Sequence, residues 1–567
     1  MTPTPRNTVS EVLDCFDDEF ADVASAFARG DYVLWLGSGI SRDVVLNVPA
    51  LLERMLDFLQ SKSDSTDPVC RFTTALEEVL QVAGVDADSI DLAAAVGSWP
   101  NLDDIVSRLV DRYSYVLDVQ VEGEPEDYLV WTGLDVSTTY GAPDLEPDVE
   151  HLCVAILMME GVVRSAPTTN WDGLVEAAME RLAGGSNRNL KVIVAAEDFT
   201  APDRQAELVK FHGCAVRAAN DPAEYRDLLI ARISQISGWT EKPEHQMMKD
   251  RLQYLFAAKP AFIVGLSAQD ANIHTFLQRA VQHLPRTWPM APPAVVFAEH
   301  DLHQHHKLVM RLTYGDSYHP NRHEIGESAL LGAYAKPALL ALVLFTVADK
   351  LCMLIGQVTE LAMPGPELDL LRADVRNARN LVGQNGNPAD RSFMEALVSI
   401  ITLALWVFRR GEVPNAAPYL ALSSSPIADA TEDPDYPSAA LGRFAVSYAL
   451  LARGAANGRW SIEIGNIKQP GDGVVRVRTG GRCSKVFIAR DMRVLSDLQL
   501  AGIIDLDDPE VVVAHAEAIR APAARSPRTR YGRTGNGGAR QIDVESLCAE
   551  ASCAENLFDS FALVGAL

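Results

Sequence analysis

Short apolar runs alternate with amphipathic segments through residues 30–300. The runs are residues 32–36 (YVLWL), 191–195 (KVIVA), 261–265 (AFIVG) and 294–297 (AVVF). Between them, LLERMLDFL, GLVEAAMERL and IHTFLQRAV place their apolar residues at helical spacing. Such alternation is typical of a parallel sheet covered by helices. We therefore predict an α/β domain over residues 1–325, with a Rossmann-like parallel sheet and helices on both of its faces.

Long helical patterns replace the strand signals after residue 329. ALLGAYAKPALLALVLFTVADKLCMLI and FMEALVSIITLALWVF contain few β-type runs, and we assign residues 326–420 to a helical module. Residues 337–348 are strongly apolar, but the charged Lys336 and Asp349 flank them directly. The uncharged stretch is therefore shorter than the roughly 20 residues that a membrane span needs. The pattern predicts a buried core helix and no membrane attachment.

Residues 421–567 have the pattern of a small α+β region. Residues 423–437 (SSSPIADATEDPDYP) are rich in proline and acids and predict an exposed loop or linker. RWSIEI, VVRVR and SKVFIA follow, separated by turn residues, and predict a three-stranded meander. Residues 520–540 contain six arginines and no acid. This Arg-rich segment is either a flexible tail or a strip that binds anions or nucleic acid.

Charge and cysteine usage narrow the class of protein. The formal net charge of −26 opposes non-specific binding to phosphate backbones, so direct nucleic-acid binding is not expected. The eight cysteines include no C-x-x-C pair, which argues against a zinc ribbon and a disulfide framework. The N-terminal segment lacks the apolar core of a signal peptide. We expect a cytoplasmic protein in a reducing compartment.

A glycine-rich turn follows the first apolar run. Residues 33–43 read VLWLGSGISRD, which places Gly37, Ser38, Gly39 and Ser41 where a strand passes into a helix. In open parallel sheets, such a turn lets backbone N–H groups approach a phosphate. Glycine and serine at this place are equally typical of an ordinary turn, because the segment matches neither G-x-G-x-x-G nor the Walker lysine loop.

Polar clusters follow three further apolar segments. TTNWDGL contains Asn170 and Asp172, and VKFHGC ends on His212. FIVGLSAQDANI contains Gly265, Ser267, Asp270 and Asn272. Individually, Asn170, Asp172 or Asp270 is explained as a helix cap, and a single histidine as structural. Together they favour a ligand site, because parallel strands gather their carboxyl ends at one edge of the sheet.

The order GSGIS, TTNWD, KFHG and VGLSAQD over roughly residues 25–300 resembles the bacterial SIR2-like (sirtuin-related) domain of antiphage defence proteins. The resemblance implies that Gly37, Ser38, Gly39 and Ser41 hold the pyrophosphate of NAD⁺. It places Asn170 and Asp172 near the nicotinamide and its ribose, and makes His212 the base near the ribose hydroxyls. Gly265 and Ser267 then hold the adenosine side, while Asp270 and Asn272 match the defence-type pattern without a defined role.

Departures from sirtuin deacylases determine the activity that the resemblance implies. The two C-x-x-C pairs of the deacylase zinc module are absent, and G-I-P-x-F-R is replaced by VVLNVPALLERML, with Pro49 kept and Asn47 in place of the glycine. Without an acyl-lysine site, water becomes the acceptor, and we predict an NAD⁺ glycohydrolase that consumes NAD⁺ as substrate without zinc. The alternatives are a non-catalytic NAD or ADP-ribose sensor and a protein deacylase.

Partners follow from the same resemblance. NADases of this kind deplete NAD⁺ in abortive infection, so we expect low basal activity that is released by homo-oligomerisation or by an operon-encoded partner such as a HerA-like ATPase. The segment EHDLHQHHKL contains Glu299, His300, His303 and His306 at three-residue steps. These residues permit a metal site. We predict a polar surface segment and no metal.

Overall fold

The computed structural model describes residues 5–64, 66–67, 69–185, 189–284, 286–387, 390–427, 438–519 and 538–567. In these residues the strands form one six-stranded and one five-stranded sheet. The Arg-rich segment falls outside the described residues except at residues 538–540, and residues 428–437 of the predicted linker also lie outside them.

The larger sheet is parallel throughout its described strands. These are β1 (Val33–Leu36), β2 (Ser165–Thr168), β3 (Leu190–Ile193), β4 (Ala206–Lys210), β5 (Ala261–Val264) and β6 (Val295–Ala298). The order is β3-β4-β2-β1-β5-β6. The predicted Rossmann-like α/β fold is confirmed. The four predicted runs correspond to β1, β3, β5 and β6, each shifted by one or two residues.

Helices cover both faces of this sheet because its strands are apolar on both sides. Leu34 and Leu36 of β1 enter one core, whereas Val33 and Trp35 enter the opposite one. Alternation of this kind follows from the two-residue repeat of a strand. The helices on the Leu34 side are α1 (Val9–Asp17), α2 (Ala21–Ala28), α8 (Val149–Met159) and α9 (Leu174–Leu182). On the Trp35 side lie α13 (Gln246–Ala258), α14 (Ala271–His283), α15 (Gln304–Tyr314) and α16 (Arg322–Ala329).

A helical insertion between β1 and β2 has its own apolar core. It contains α3 (Val48–Lys62), α4 (Arg71–Val82), α5 (Leu102–Val110), α6 (Tyr113–Val116) and α7 (Val136–Thr139). Helix α3 begins at Asn47, whose side chain accepts the Ala50 N–H at 3.0 Å. Pro49 lies in its first turn, where a missing N–H has no cost. The short helices α10 (Ala215–Asn220), α11 (Pro222–Tyr225) and α12 (Ile233–Gly238) follow β4.

The apolar segment around residues 337–348 forms α17 (Ala335–Ile355), a buried core helix as predicted. Its first half packs in the core beside the parallel sheet, and its second half packs in the core of the C-terminal region. Two described helices, α17 and α19 (Arg391–Arg410), are long and apolar enough to cross a membrane, with 78% and 44% of their apolar windows buried. Two such helices are weak evidence, so no membrane protein is indicated.

The smaller sheet contains the predicted meander. Its strands are β7 (Ser461–Ile464), β8 (Val475–Thr479), β9 (Arg482–Ala489), β10 (Val511–His515) and β11 (Arg540–Asp543), in the order β11-β10-β9-β8-β7. The antiparallel pairs β7·β8 and β8·β9 confirm the meander, while β10 and β11 add parallel strands that the sequence did not predict. The surrounding helices are α18 (Gly365–Asn385), α20 (Ser438–Ala456), α21 (Met492–Leu500), α22 (Val544–Glu550) and α23 (Ala554–Gly565).

One apolar core joins the long helices to the smaller sheet. Leu403 and Phe408 of α19 pack in the same cluster as Phe487 of β9. The predicted boundaries at residues 325 and 420 stay predictions, and α17 contributes to the cores on both sides of the first of them. The predicted exposed loop is wrong at its start, because Ser423 and Ile427 are buried.

A buried polar cluster, formed by Glu160, Lys350 and Tyr419, joins these parts of the chain. Lys350 Nζ in α17 donates to the Glu160 carboxylate and to the Ser423 carbonyl, each at 2.7 Å. Glu160 also accepts the Tyr419 hydroxyl at 2.7 Å and the Leu422 N–H at 3.0 Å. Glu160 and Lys350 have no exposed surface. Burial of opposite charges therefore fixes the end of α8 against α17 and residues 419–423.

Candidate functional site

One pocket lies at the carboxyl edge of the parallel sheet. Residues that follow β1, β2, β4 and β5 line it, and its cavity volume is about 110 Å³, with a mouth open to solvent. Strands β2 and β5 lie on opposite sides of β1, so the chain changes direction along the sheet here. Such a switch point is where open α/β sheets bind ligands. The predicted residues that line the pocket are Ser38, Asn170, Asp172, His212, Gly265, Ser267 and Asp270.

Gly37 and Gly39 pack against the loop that follows β5. The Gly37 N–H donates to the Val264 carbonyl at 3.0 Å, and the Gly39 N–H to the Gly265 carbonyl at 2.9 Å. A Cβ on Gly37 would lie 2.4 Å from the Gly265 oxygen. These two amides are thus bound to the neighbouring loop, and Ser38 between them lines the pocket. Glycine is required for close approach of two backbones.

Replacing Gly37 by alanine is expected to lower the free energy of unfolding by about 1–3 kcal/mol, because the added methyl group meets backbone atoms that cannot rotate away. Gly238→Ala is the matched control, since a Cβ at Gly238 has open space around it. Thermal and chemical unfolding of both variants measure the effect. Equal stability of the two variants would show that the contact between the loops tolerates a side chain.

Ser41 lies behind the pocket and contacts Asn170. Its hydroxyl oxygen is completely buried and lies 3.1 Å from Asn170 Nδ2, which donates to it. His151 Nε2 lies 3.0 Å from the same oxygen. Asn170 Oδ1 is buried with no hydrogen-bond partner in the described residues. A buried amide oxygen without a partner is costly, so Asn170 has an acceptor available for a ligand in this pocket.

Asp172 both contacts the start of a helix and lines the pocket. Its Oδ1 accepts the Leu174 N–H, the first N–H of α9, at 3.1 Å, while Gly173 is the N-cap residue of that helix. Lys210, fully buried, donates to the Asp172 carbonyl and, at 2.8 Å, to Glu176 Oε1. Burial lowers the pKa of Lys210, but the charge and hydrogen bond of Glu176, together with the charges of Cys214 and Asp172, outweigh it, so the pKa is raised. The charged Lys210 therefore holds the loop that carries Asn170 and Asp172.

His212 is a neutral, buried imidazole at the pocket. The Asn272 side-chain amide lies 3.0 Å from His212 Nε2 and holds that ring nitrogen. Nδ1 is the other ring nitrogen, and a base role at the pocket requires it to be unprotonated. Burial lowers the pKa of His212 below 6.5, against the opposing charge of Asp270. His212 is uncharged near neutral pH, which is the state that a general base requires.

Asp270 directly precedes α14, but its side chain does not cap that helix. The helix-cap interpretation of Asp270 is therefore wrong. Its carboxylate instead accepts the Tyr113 hydroxyl at 2.8 Å, and both residues line the pocket. Burial and the Asp270 charge raise the pKa of Tyr113 well above 10. Tyr113 therefore stays protonated and donates to Asp270.

Several pocket residues were missed from the sequence. Tyr113, Tyr140 and Trp171 line the site, with Tyr140 and Trp171 packed edge to face. Tyr113 ends the segment WPNLDDIVSRLVDRY, which does not follow any of the predicted strands directly. Trp171 lies between the predicted residues Asn170 and Asp172, and this position is the sequence signal that could have identified it. His151 carried no local signal, because it lies inside an apolar helix and reaches Ser41 across 110 residues.

The histidine segment, residues 299–308, differs from the predicted surface segment at His306. His306 is fully buried, not on the surface, and its Nε2 lies 3.1 Å from the Leu266 carbonyl oxygen. The surface prediction is therefore wrong for His306. His300 stacks on Tyr334 with 3.7 Å between ring centroids. In the part of the chain that is described, no group of three His, Cys, Asp or Glu side chains is placed to hold a metal ion.

A comparison with protein-family models gives a match for part of the chain. Residues 164–314 match the family model of the SIR2-like domain. The match runs from the residue before β2 to the end of α15, and it includes the segments of Asn170, His212 and Asp270 but not the glycine turn. No curated protein matches the chain. The match and the fold support a SIR2-like protein with an NAD-related function.

Proposed function

We propose that this chain is an NAD⁺ glycohydrolase that transfers the ADP-ribosyl group to water. The observation that carries the proposal is one pocket, lined in part by the matched residues 164–314, that brings together Asn170, Asp172 and the neutral His212. SIR2-like domains bind NAD⁺. The unpartnered Asn170 oxygen and the aromatic Tyr140 and Trp171 suit a ligand with hydroxyl groups and flat rings.

The reaction requires a fixed ribose and a positioned water. The bond between the ribose C1′ and the nicotinamide nitrogen breaks, and its electron pair leaves with the nicotinamide, which becomes neutral. Water bonds to C1′ and releases one proton, so the products are ADP-ribose, nicotinamide and H⁺. His212 accepts a proton from water or a ribose hydroxyl, and Asn170 and Asp172 orient the ribose beside it.

The chain does not support the acyl-transfer alternative. A sirtuin deacylase carries a zinc module of two C-x-x-C pairs, and the eight cysteines here form none. The segment that replaces G-I-P-x-F-R supplies Val45, Leu46 and Leu51 to the pocket wall, while Asn47 caps α3. This segment thus forms the start of α3 and part of the pocket wall. Water is therefore the acceptor that we propose.

The biological role that we propose is depletion of NAD⁺ in abortive infection. NAD⁺ loss is toxic to the cell that contains the enzyme, so its activity has to be low until a signal arrives. We propose that homo-oligomerisation or an operon-encoded partner, such as a HerA-like ATPase, supplies the signal. The resemblance of the four polar segments to defence proteins supports this role.

Product analysis tests the proposed function. The full chain is incubated with NAD⁺ over protein concentrations that span its monomer and oligomers, and nicotinamide and ADP-ribose are quantified by chromatography. Equal amounts of the two products, with no stimulation by an acetyl-lysine peptide, are expected. NAD⁺ binding without nicotinamide release at any oligomeric state would favour a nucleotide sensor and overturn the proposal.

A further inference from the structure

A chain of buried contacts reaches Asn170 from outside the pocket. Asn170 Nδ2 donates to Ser41 Oγ at 3.1 Å, and His151 Nε2 lies 3.0 Å from that oxygen. The Asp148 N–H donates to His151 Nδ1 at 3.1 Å. Ser41 and His151 have no exposed surface, and Asn170 is 7% exposed. His151 therefore lies one residue behind the group that we place at the substrate.

The contacts of His151 define its tautomer. Nδ1 accepts a backbone N–H, so the ring proton lies on Nε2 and is donated to Ser41. Burial lowers the pKa of His151 below 6.5, although Asp172 and Asp148 oppose this. The neutral ring therefore keeps one acceptor and one donor, and each has a partner.

Lys336, in the first turn of α17, fixes the other end of this chain. Its Nζ lies 2.7 Å from Asp148 Oδ2 and 2.7 Å from Asp43 Oδ2, and Glu150 Oε2 is 3.9 Å away. Asp148 is the N-cap residue of α8, and Asp43 follows the glycine turn. One ammonium group thus joins the long helix α17 to both segments that hold Ser41.

We propose that His151 is a positioning residue that holds Ser41, and through it Asn170, in the arrangement that NAD⁺ cleavage needs, and that Lys336 anchors this arrangement to α17. The proposal rests on the proposed function for its catalytic readout. Loss of the His151 contact frees the Ser41 hydroxyl and the Asn170 amide to rotate. A misplaced group near the reacting atoms lowers kcat without removing substrate binding.

Two isosteric variants separate positioning of Ser41 from simple helix capping. His151→Gln places an amide near the Nε2 position and keeps the contact with Ser41. His151→Asn places an oxygen near the Nδ1 position and keeps the acceptor for the Asp148 N–H. We expect kcat for nicotinamide release to fall about 10- to 100-fold in His151→Asn and only a few-fold in His151→Gln. Equal kcat values, or a larger loss in His151→Gln, would overturn the proposal.

Lys336→Met tests the anchor, with Lys307→Met on the exposed side of α15 as control. We expect a loss of kcat in Lys336→Met that is smaller than in His151→Asn. The double variant is expected to be as slow as His151→Asn alone, because both changes act on the same contact chain. If the two substitutions lowered kcat by independent factors that multiply in the double variant, the proposed role of Lys336 would be wrong. An unchanged kcat in Lys336→Met would also overturn it.

Crystal structures of the two His151 variants supply a readout that does not depend on activity. Asn170 Nδ2 is expected within hydrogen-bond distance of Ser41 Oγ in His151→Gln, and displaced or in two conformers in His151→Asn. An unchanged Asn170 in both variants would overturn the proposal. If wild-type protein releases no nicotinamide while these structures differ as expected, the proposed function fails and the positioning of Asn170 by His151 stands.

Discussion

Replacing His212 by alanine is expected to lower the rate of nicotinamide release from NAD⁺ by about 100- to 10,000-fold. We propose that His212 is the neutral base in the pocket, where the Asn272 amide holds its Nε2 and leaves Nδ1 to accept the proton. Alanine removes the proton acceptor and leaves the Asn272 amide without its partner. Chromatographic measurement of kcat, at the oligomeric state that gives the highest wild-type rate, checks this prediction.

The control for this variant is His323→Ala, because His323 lies on the surface, where it pairs with Glu327. Its kcat is expected to equal that of wild type. The lowered pKa of His212 also predicts an acidic limb of the pH profile below pH 6.5, where the imidazole gains a proton and ceases to act as a base. Equal rates for wild type and His212→Ala would show that another group carries the chemistry.

Replacing Lys350 by methionine is expected to lower the free energy of unfolding by about 3–5 kcal/mol. The Glu160 carboxylate would keep Tyr419 and the Leu422 N–H but lose its counter-charge inside a fully buried site. Methionine has nearly the volume of lysine, so the loss reports the unpaired charge more than a cavity. Calorimetry and urea unfolding, followed through the first transition, measure the change.

A surface ion pair gives the matched comparison. Arg108 and Asp104 form a pair on α5 in which both side chains are about half exposed. Arg108→Met is expected to cost about 0–1 kcal/mol, because water screens the pair and replaces its contacts. If Lys350→Met were no more destabilising than Arg108→Met, the buried polar cluster would not join the core beside the parallel sheet to the core of the C-terminal region.

The apolar periodicity of the chain contained most of the information on the fold. Buried strands such as β1 and β5 are continuous apolar runs, and the sequence predicted them within one or two residues. Strand β2 (SAPT) and strand β11 (RQID) lack such a run. They become strands because neighbouring strands offer hydrogen-bond partners on the sheet, and that environment is not visible in four residues.

The candidate site was predictable where chemistry follows the end of a strand. Asn170, Asp172, His212 and Asp270 were placed at one edge by topology alone, and they line one pocket. What each side chain contacts depends on residues far away in the chain. The partner of Asp270 is Tyr113, which lies 157 residues earlier. No local pattern distinguishes that contact from the helix cap that was equally plausible for this residue.

Supporting contacts behind the pocket were the least predictable part. His151 lies in an almost wholly apolar helix, and Lys210 ends an apolar run. Both are buried polar groups, which are costly unless every donor and acceptor is matched. Their partners are brought near only by the packing of α8 and α9 against the parallel sheet.

The contact between the two glycine loops affects how the pocket responds to a ligand. Because Gly37, Gly39 and Gly265 touch through their backbones, the turn after β1 and the turn after β5 are held in one geometry before any ligand arrives. A ligand that spans both turns would not have to order either of them, so little conformational entropy is lost at this end on binding. At the glycine loops, selectivity for a ligand would then come from a shape that is fixed during folding. Adaptation to different ligands would depend on the side chains of the opposite wall of the pocket.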